Sequence, residues 1–218
     1  GGTTAKASLI ENGEVTRAAE YQVGAGIVLG SRLLSGAGYT LKVPAIDLAE
    51  IGAGGGSILW IDACGALQVG PPSAGASPGP VAYDQGGTAP TVTDANLALG
   101  YLNPGHLVGG AVKLNLDKAR AVLDAAIARP LGMSLEAAAH GAHLIAAATM
   151  IRALKAVSSE RGRDPRDYAL VAFGGNGAIF AAGMAREIGI TRVLVPPSAG
   201  VFSSFGLLYA EVAYYFTR

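Results

Sequence analysis

The sequence has little of what would mark a secreted, nucleic-acid-binding or membrane-bound protein. Its 218 residues include one cysteine, Cys64, so no disulfide can form within the chain. Lysine plus arginine number 16, as do aspartate plus glutamate, and the basic residues do not cluster. Such a chain has no electrostatic attraction for nucleic acid or an anionic membrane. We therefore expect its partner to be a small molecule or another protein.

Targeting and membrane-spanning patterns are missing as well. No stretch has the basic start, apolar middle and small-residue cleavage site of a signal peptide. The most hydrophobic helix candidate, residues 137–151, is too short to span a bilayer. We predict a cytoplasmic protein. Because the chain begins with glycine rather than methionine, we also expect it to be a fragment of a longer protein.

Hydrophobic residues and glycine, by contrast, are abundant. Half of the residues are hydrophobic and 32 are glycine. This composition can bury a core sufficient for one large domain or two small ones.

The clearest pattern lies at residues 170–195, where an apolar run is followed by glycines, an alanine-rich stretch and a second apolar run. It predicts a βαβ unit with parallel strands and a right-handed crossover. Such a unit places backbone N–H groups and a helix N-terminus at the carboxyl end of a strand, where α/β sheets bind ligands. The spacing matches neither the dinucleotide nor the P-loop pattern, so a turn needed only for packing is the alternative. The glycines are Gly174, Gly175 and Gly177.

Near the start of the chain, Asn12-Gly13 between two strand-like runs predicts a hairpin with a type I′ turn. Small and hydroxyl-bearing residues precede this hairpin, so the backbone there can approach an anion closely. A simple Gly-Thr-rich strand end is equally compatible with these residues. They are Gly1, Gly2, Thr3 and Thr4.

A second glycine-rich run, Ile-Gly-Ala-Gly-Gly-Gly-Ser, occupies residues 51–57. So many glycines raise the entropy cost of ordering the chain, which indicates a specific role. Phosphate binding and a flexible hinge between subdomains are the two alternatives. The following residues predict another hairpin, which pairs 58–61 with 67–69.

Prolines and glycines make residues 70–93 a predicted long loop without helix. A helix is predicted over residues 94–99, with Thr93 or Asp94 as its N-cap. Asp94 is either that cap or a carboxylate that binds metal or acts as a general base.

Two longer helices follow, over residues 116–127 and over residues 134–159 with Ser134 as N-cap, and a final helix is predicted at 201–215. His140 and His143 lie three residues apart on the longest helix. No acidic residue has the spacing of a further metal ligand, so we interpret both histidines as core or interface residues.

Three motifs in a fixed order resemble the hydantoinase A/5-oxoprolinase family, which includes N-methylhydantoinase A and subunits of acetone and acetophenone carboxylases. They are the glycine-rich run at 51–57 followed by Asp62, the stretch Gly-Gly-Thr-Ala-Pro-Thr-Val-Thr-Asp-Ala-Asn at 86–96, and Phe-Gly-Gly-Asn-Gly at 173–177 followed by Val-Pro-Pro-Ser-Ala-Gly-Val-Phe-Ser at 195–203. Two departures stand out. Ala178-Ile-Phe180 replaces a frequent Pro-Leu-His, and Ala82 replaces a frequent cysteine.

The resemblance implies an α/β fold of the actin-like ATPase (ribonuclease H-like) class, with a mixed sheet and flanking helices. Residues 1–218 would form its second lobe, with 71–132 as an inserted loop and helix subdomain, and the N-terminal lobe would lie outside this chain. In that fold Gly1, Gly2, Thr3 and Thr4 resemble a phosphate loop. Gly174, Gly175 and Gly177 resemble the adenosine-binding loop, and Asp94 is the candidate catalytic residue.

The family resemblance also implies a reaction, in which ATP and Mg²⁺ activate an amide or ketone oxygen by phosphorylation before ring hydrolysis or carboxylation. The expected partners are a cyclic amide or ketone substrate, the missing N-terminal lobe and a hydantoinase B-like second subunit. The metal ligands are not indicated. A non-catalytic assembly domain that binds a partner subunit is the competing hypothesis.

Overall fold

The computed structural model describes residues 2–18, 21–23, 39–41, 45–105, 110 and 112–210. The chain divides into two compact units. Gly1–Ala5 and Gly52–Met150 form the first unit, and Lys6–Ile51 and Ile151–Arg218 form the second. The predicted insert at 71–132 lies inside the first unit, and its status as a separate subdomain stays a prediction.

The described strands are short and associate in pairs, parallel and antiparallel, which makes the fold a mixed α/β structure. The single mixed sheet of an actin-like lobe stays a prediction. The strands are β1 (Ala5–Ala7), β2 (Ile10–Glu11), β3 (Glu14–Val15), β4 (Arg17–Ala18), β5 (Tyr21–Val23), β6 (Tyr39–Leu41), β7 (Ala45–Ile46), β8 (Ala49–Ile51), β9 (Ser57–Ile61), β10 (Leu67–Ser73), β11 (Ala169–Val171) and β12 (Arg192–Leu194).

The hairpin at the start of the second unit confirms the sequence prediction. Strands β2 and β3 pair antiparallel around Asn12 and Gly13. Their φ angles of 52° and 81° are the left-handed conformations that a type I′ turn requires. Further along, β4 pairs with β7 and β5 with β6. The rest of the strands predicted over 27–46, at 27–38 and 42–44, lies outside the described residues.

The hairpin of β9 and β10 in the first unit is also as predicted, but β10 continues to Ser73. The prediction that a loop begins at residue 70 is therefore wrong. The register of the pairing shifts between Val69 and Ser73. The two prolines in this interval have no N–H to donate, and the pairing resumes at Ser73. Farther along, Val81–Tyr83 forms a short 3₁₀ turn where no helix was expected.

The five α-helices found among the described residues agree with the predicted order. Helix α2 ends earlier than predicted and continues as the π-helical turn Asp124–Ala128. Ser134 caps α3 as expected, because its Oγ accepts a hydrogen bond from Ala137 N at 3.2 Å. No helix in the described part of the chain is long and apolar enough to cross a membrane. The helices are α1 (Val92–Ala98), α2 (Leu116–Leu123), α3 (Leu135–Val157), α4 (Gly177–Ile188) and α5 (Phe202–Leu207).

The predicted βαβ unit is present in the second unit: β11 and β12 run parallel, with α4 between them. Helix α4 buries Phe180 and Met184 on one side and ends at Ile188, followed by the C-cap Gly189, whose φ of 77° favours glycine. The predicted last helix is shorter than expected, because α5 stops at Leu207. The residues from 211 on lie outside the described part.

Ion pairs hold the second unit together at the connector between α3 and β11. Arg163 donates two hydrogen bonds to Glu11, at 3.0 and 2.9 Å, and the Tyr168 hydroxyl donates a third to the same carboxylate at 2.5 Å. Arg161 pairs with Asp47, which is buried. The connector therefore joins the hairpin region of this unit to its βαβ region.

Candidate nucleotide-binding site

The turn between β11 and α4 is shaped by its glycines. Gly174 has a φ of 85°, a conformation that favours glycine, and its N–H donates a 2.7 Å hydrogen bond to the carbonyl of Ala199. Gly177 begins α4, and a Cβ there would lie 3.6 to 3.9 Å from Ala172, in ordinary contact. The first glycine therefore fixes the turn, and the last one sits close to the end of the strand.

Gly175 has no packing role in this turn. It is exposed, and a Cβ added there would meet nothing within 4 Å. The next residue, Asn176, is the N-cap of α4 but does not cap the helix with its side chain. Because the first N–H groups of a helix have no intrahelical partners, this end of the 12-residue α4 presents polar N–H groups and the positive end of the helix dipole. The alternative in which all three glycines serve packing does not account for Gly175.

The expected phosphate-binding residues belong to the first unit, whereas the expected adenosine-binding glycines belong to the second. Gly1 lies outside the described residues. Gly2 and Thr3 are exposed and Thr4 is half-buried. The Gly2 carbonyl accepts a hydrogen bond from Gly56 N at 2.6 Å, and the Thr3 hydroxyl lies 3.2 Å from that of Ser73. Their role in binding phosphate stays a prediction.

Asp94 is fully buried and its carboxylate is surrounded by donors. It accepts hydrogen bonds from Thr91 N and Thr91 Oγ1 at 2.8 and 2.7 Å. The N–H groups of Val81 and Ala82 donate two more, at 3.2 and 2.7 Å. Burial raises the pKa of this carboxyl, although these hydrogen bonds oppose the rise.

The helix cap was predicted two or three residues too late. The N-cap of α1 is Thr91, and Asp94 is the third residue of the helix in a capping box with it. The spacing Thr-x-x-Asp was visible in the sequence and would have located this start. The geometry thus gives Asp94 a structural role and offers no exposed oxygen to a metal or substrate. Its catalytic role stays a prediction.

The glycine-rich run at 52–57 is packed inside the first unit. All its residues except Gly52 are buried. Gly54 N donates to Ser57 Oγ at 3.0 Å, and the Gly55 carbonyl accepts from both the N–H and the hydroxyl of Thr93, at 2.8 and 2.9 Å. The run begins where the division between the two units falls. This packing does not favour the phosphate-binding alternative.

The two histidines of α3 differ in environment. His140 is exposed, while His143 is buried and its Nδ1 lies 2.9 Å from Asn96 Oδ1. Burial lowers the pKa of His143, which favours the neutral ring. The described residues contain no group of three or more His, Cys, Asp and Glu placed to hold a metal ion. The buried pair Asn96 and His143 had no signal in the sequence, because it forms across 47 residues.

The departure at Ala178-Ile-Phe180 falls within α4. Phe180 is fully buried, so this position, which the resemblance compares with a histidine, serves the core here.

Comparison with known proteins identifies relatives over almost the whole chain. The Hydantoinase/oxoprolinase family model matches residues 1–215. A protein of Methanocaldococcus jannaschii is 49% identical over 97% of this chain, which covers 31% of that protein. The caprolactamase subunit alpha of Pseudomonas jessenii is 48% identical over 81% of this chain, which covers 25% of the subunit.

A solved structure supports the same relationship. The nucleotide-free structure of acetone carboxylase superposes with a TM-score of 0.80 and 32% identity, over 94% of this chain and 27% of that one. The chain therefore spans about a quarter to a third of the length of the relatives it matches. The protein belongs to the hydantoinase/oxoprolinase family.

Proposed function

We propose that the full-length protein is an ATP-dependent hydrolase of cyclic amides, and that the turn at Gly174–Gly177 binds the adenosine part of ATP. The observation that carries this proposal is the open glycine turn between β11 and the N-terminus of α4. Gly175 leaves space for a ligand at the N-terminus of α4, where the first N–H groups of the helix can donate hydrogen bonds. The residues present are thus suited to a nucleotide.

The chemistry requires little of the protein beyond positioning. ATP, when bound, supplies the phosphoryl group that activates the amide oxygen, and such transfers rely on orientation and charge stabilisation. The backbone N–H groups at the start of α4 would hold and orient the nucleotide. The assignment of Gly2, Thr3 and Thr4, which lie in the first unit, as phosphate donors rests on the family resemblance and is a separate proposal from that for the glycine turn. Mg²⁺ usually keeps several waters and binds one or two carboxylates plus phosphate, so no ready-made protein cage is required.

Two relatives suggest two reactions, an amide hydrolysis and a ketone carboxylation. The caprolactamase subunit is 48% identical and the acetone carboxylase chain 32% identical to this chain. The higher identity favours the amide. A hydantoinase B-like second subunit is the expected partner, because the caprolactamase relative is named as one subunit of its enzyme.

The direct test is ATP hydrolysis by the full-length protein with its second subunit, measured with and without a lactam, hydantoin or 5-oxoproline. We expect hydrolysis to depend on the cyclic amide. Stimulation by a ketone plus bicarbonate alone would instead identify the carboxylase reaction. The 218-residue chain by itself should show no turnover, since an actin-like site needs donors from two lobes.

The glycine turn is tested by calorimetry of ATP and Mg²⁺ binding to the full-length protein. Gly175→Asp should weaken binding roughly tenfold or more, because it places a negative charge beside the bound nucleotide. Gly175→Ala is the matched control without the charge: it should fold like wild type, since its Cβ meets no protein atom within 4 Å, and should weaken binding less than Gly175→Asp. Equal affinities of Gly175→Asp and wild type, with both folded, would contradict the assignment.

A further inference from the structure

Three segments of the first unit meet at the start of the chain. The N–H of Gly56 donates to the Gly2 carbonyl at 2.6 Å, and the Gly56 carbonyl accepts a hydrogen bond from Ala74 N at 2.8 Å. A Cβ added at Gly56 would lie only 2.9 Å from Ser73 Oγ. Ser73 is itself held at the end of β10 by its pairing with Ser57. The buried glycine-rich run therefore brings the Gly2 backbone and the Ser73 hydroxyl together.

The hydrogen bond to the Gly2 carbonyl orients the next peptide group. In a trans peptide the C=O and the following N–H point in opposite directions. Since the Gly2 carbonyl is turned toward Gly56, the N–H of Thr3 is turned away from the buried run. Thr3 itself is exposed. This N–H is therefore directed away from the packing that holds Gly2.

The Thr3 hydroxyl is held on the other side by Ser73. The two hydroxyl oxygens lie 3.2 Å apart, and Ser73 Oγ also accepts a hydrogen bond from Gly75 N at 3.1 Å. A hydroxyl has one hydrogen to donate and two lone pairs that accept. Ser73 can therefore accept from Gly75 and donate to Thr3 at the same time. In this arrangement Thr3 keeps its own hydroxyl hydrogen for a ligand, whereas in the reverse arrangement Thr3 donates that hydrogen to Ser73.

We propose that Ser73 is a positioning residue for phosphate: its hydroxyl donates to Thr3 Oγ1, so that the Thr3 hydroxyl hydrogen is left for a phosphate oxygen of ATP. An anionic phosphate oxygen only accepts hydrogen bonds, and it therefore favours the arrangement in which Thr3 donates to it. The Gly75 N–H strengthens this chain, because hydrogen bonds in series polarise one another. The role of Ser73 rests on the proposed contact of Thr3 with phosphate and does not depend on the glycine turn of the second unit.

A purely structural Ser73 is the alternative, in which its hydroxyl only closes the turn to Gly75. Loss of the hydroxyl would then change the local stability, and any effect on ATP binding would be the same with and without the Thr3 hydroxyl. The positioning role instead requires that the two hydroxyls act together. A double-mutant cycle between Thr3 and Ser73 measures this coupling.

The test is calorimetry of ATP and Mg²⁺ binding to the full-length protein, to Thr3→Val, to Ser73→Ala and to the double variant. Thr3→Val keeps the shape but removes the hydroxyl, so it should weaken binding roughly tenfold or more. Ser73→Ala should weaken it roughly threefold or more, because Thr3 loses the donor that orients its hydroxyl. In the Thr3→Val background, Ser73→Ala should add less than about twofold.

Two further variants complete the test. Ser77→Ala changes an exposed serine near the same turn and is the matched control, which should bind ATP like wild type. Ser73→Cys replaces the hydroxyl by a thiol, which is a weak donor, and should show the same coupling to Thr3 as Ser73→Ala.

The outcomes separate this role from the proposed phosphate contact. If Thr3→Val weakens binding while folded Ser73→Ala and Ser73→Cys bind like wild type, the positioning role is wrong and the phosphate contact stands. Equal weakening by Ser73→Ala in both backgrounds would also overturn the positioning role, since Ser73 would then act independently of Thr3. Unchanged ATP binding by Thr3→Val would overturn the phosphate contact itself, and the role of Ser73 with it.

Discussion

The two glycine-rich loops of this protein have similar compositions and opposite environments. The loop at 52–57 in the first unit is buried, and its backbone is bonded to residues on three other segments, Gly2, Ala74 and Thr93. The turn at 174–177 in the second unit is bonded to Ala199 and leaves Gly175 exposed. Glycine permits close packing in one loop and leaves an exposed, uncrowded position in the other.

This difference teaches how a glycine-rich motif should be interpreted. Phosphate binding needs N–H groups that point outward, and the first loop directs the N–H of Gly54 and of Gly56 to acceptors inside its own unit. The second turn lies at the start of a 12-residue helix, where N–H groups have no intrahelical acceptors. The position of the glycines relative to a helix N-terminus therefore matters more than their number.

Substitutions of Asp94 test whether this residue stabilises the first unit or takes part in catalysis. Asp94→Ala should lower the free energy of unfolding by at least about 3 kcal/mol, because buried donors at Val81, Ala82 and Thr91 lose their acceptor. Denaturant titration of the full-length protein measures this loss.

The conservative change Asp94→Asn distinguishes the structural from the catalytic role of this residue. It keeps the shape but replaces one acceptor by a donor, so it too should be destabilising. A variant of normal stability without turnover would instead support a catalytic Asp94.

We expect a smaller loss of stability when one glycine of each loop is replaced by alanine. Gly56→Ala should cost about 1 to 3 kcal/mol. Its Cβ would lie 2.9 Å from Ser73 Oγ and 3.0 Å from the backbone oxygen of Gly2. Gly175→Ala should change the free energy of unfolding by less than about 0.5 kcal/mol. Thermal unfolding of the two variants side by side measures the difference, and similar losses would refute the contrast between the loops.

The smallest expected effect is a loss of stability in acid. It should come from the half-exposed ion pair of Glu11 and Arg163 in the second unit. The hydrogen bond from Arg163 holds the pKa of Glu11 below its usual value of 4.5, and Tyr168 adds to this. A lowered pKa in the folded state means that Glu11 stabilises the fold above pH 4.5, and that this contribution is lost as the pH falls through the lowered pKa.

Melting temperatures recorded from about pH 6 to about pH 3 test this response. Wild type should lose stability more steeply than Glu11→Gln, which has no carboxylate to protonate. Glu14→Gln on the adjacent strand is the matched control and should follow wild type. Parallel curves for wild type and Glu11→Gln would mean that the pair contributes nothing to folding.

Much of the local structure follows from the sequence because it depends on neighbouring residues. Asn12-Gly13 requires a turn with positive φ angles, and Ser134 caps the helix that begins after it. The glycines after Leu170 end a strand and permit a helix to start close to it. In contrast, the extension of β10 to Ser73 was missed, because prolines usually end a strand and here lie at an irregularity in its pairing.

The candidate site was predicted only in part. The sequence located Gly174, Gly175 and Gly177, but it did not distinguish the exposed glycine from the two that shape the turn. It singled out Asp94, whose burial depends on Val81 and Ala82, 13 and 12 residues away. The ion pair of Arg163 with Glu11 joins residues 152 apart, and nothing in the local sequence of either residue indicates the other.

The sequence by itself determined the family, the βαβ unit and the hairpins, because motifs, turn residues and hydrophobic patterns act over a few residues. The tertiary structure decided which glycines are accessible, which carboxylate is buried and which apolar side chains remain exposed. These properties depend on contacts between segments far apart in the chain. Exposure is the sum of all such contacts, and similar glycine-rich runs can therefore end in different environments.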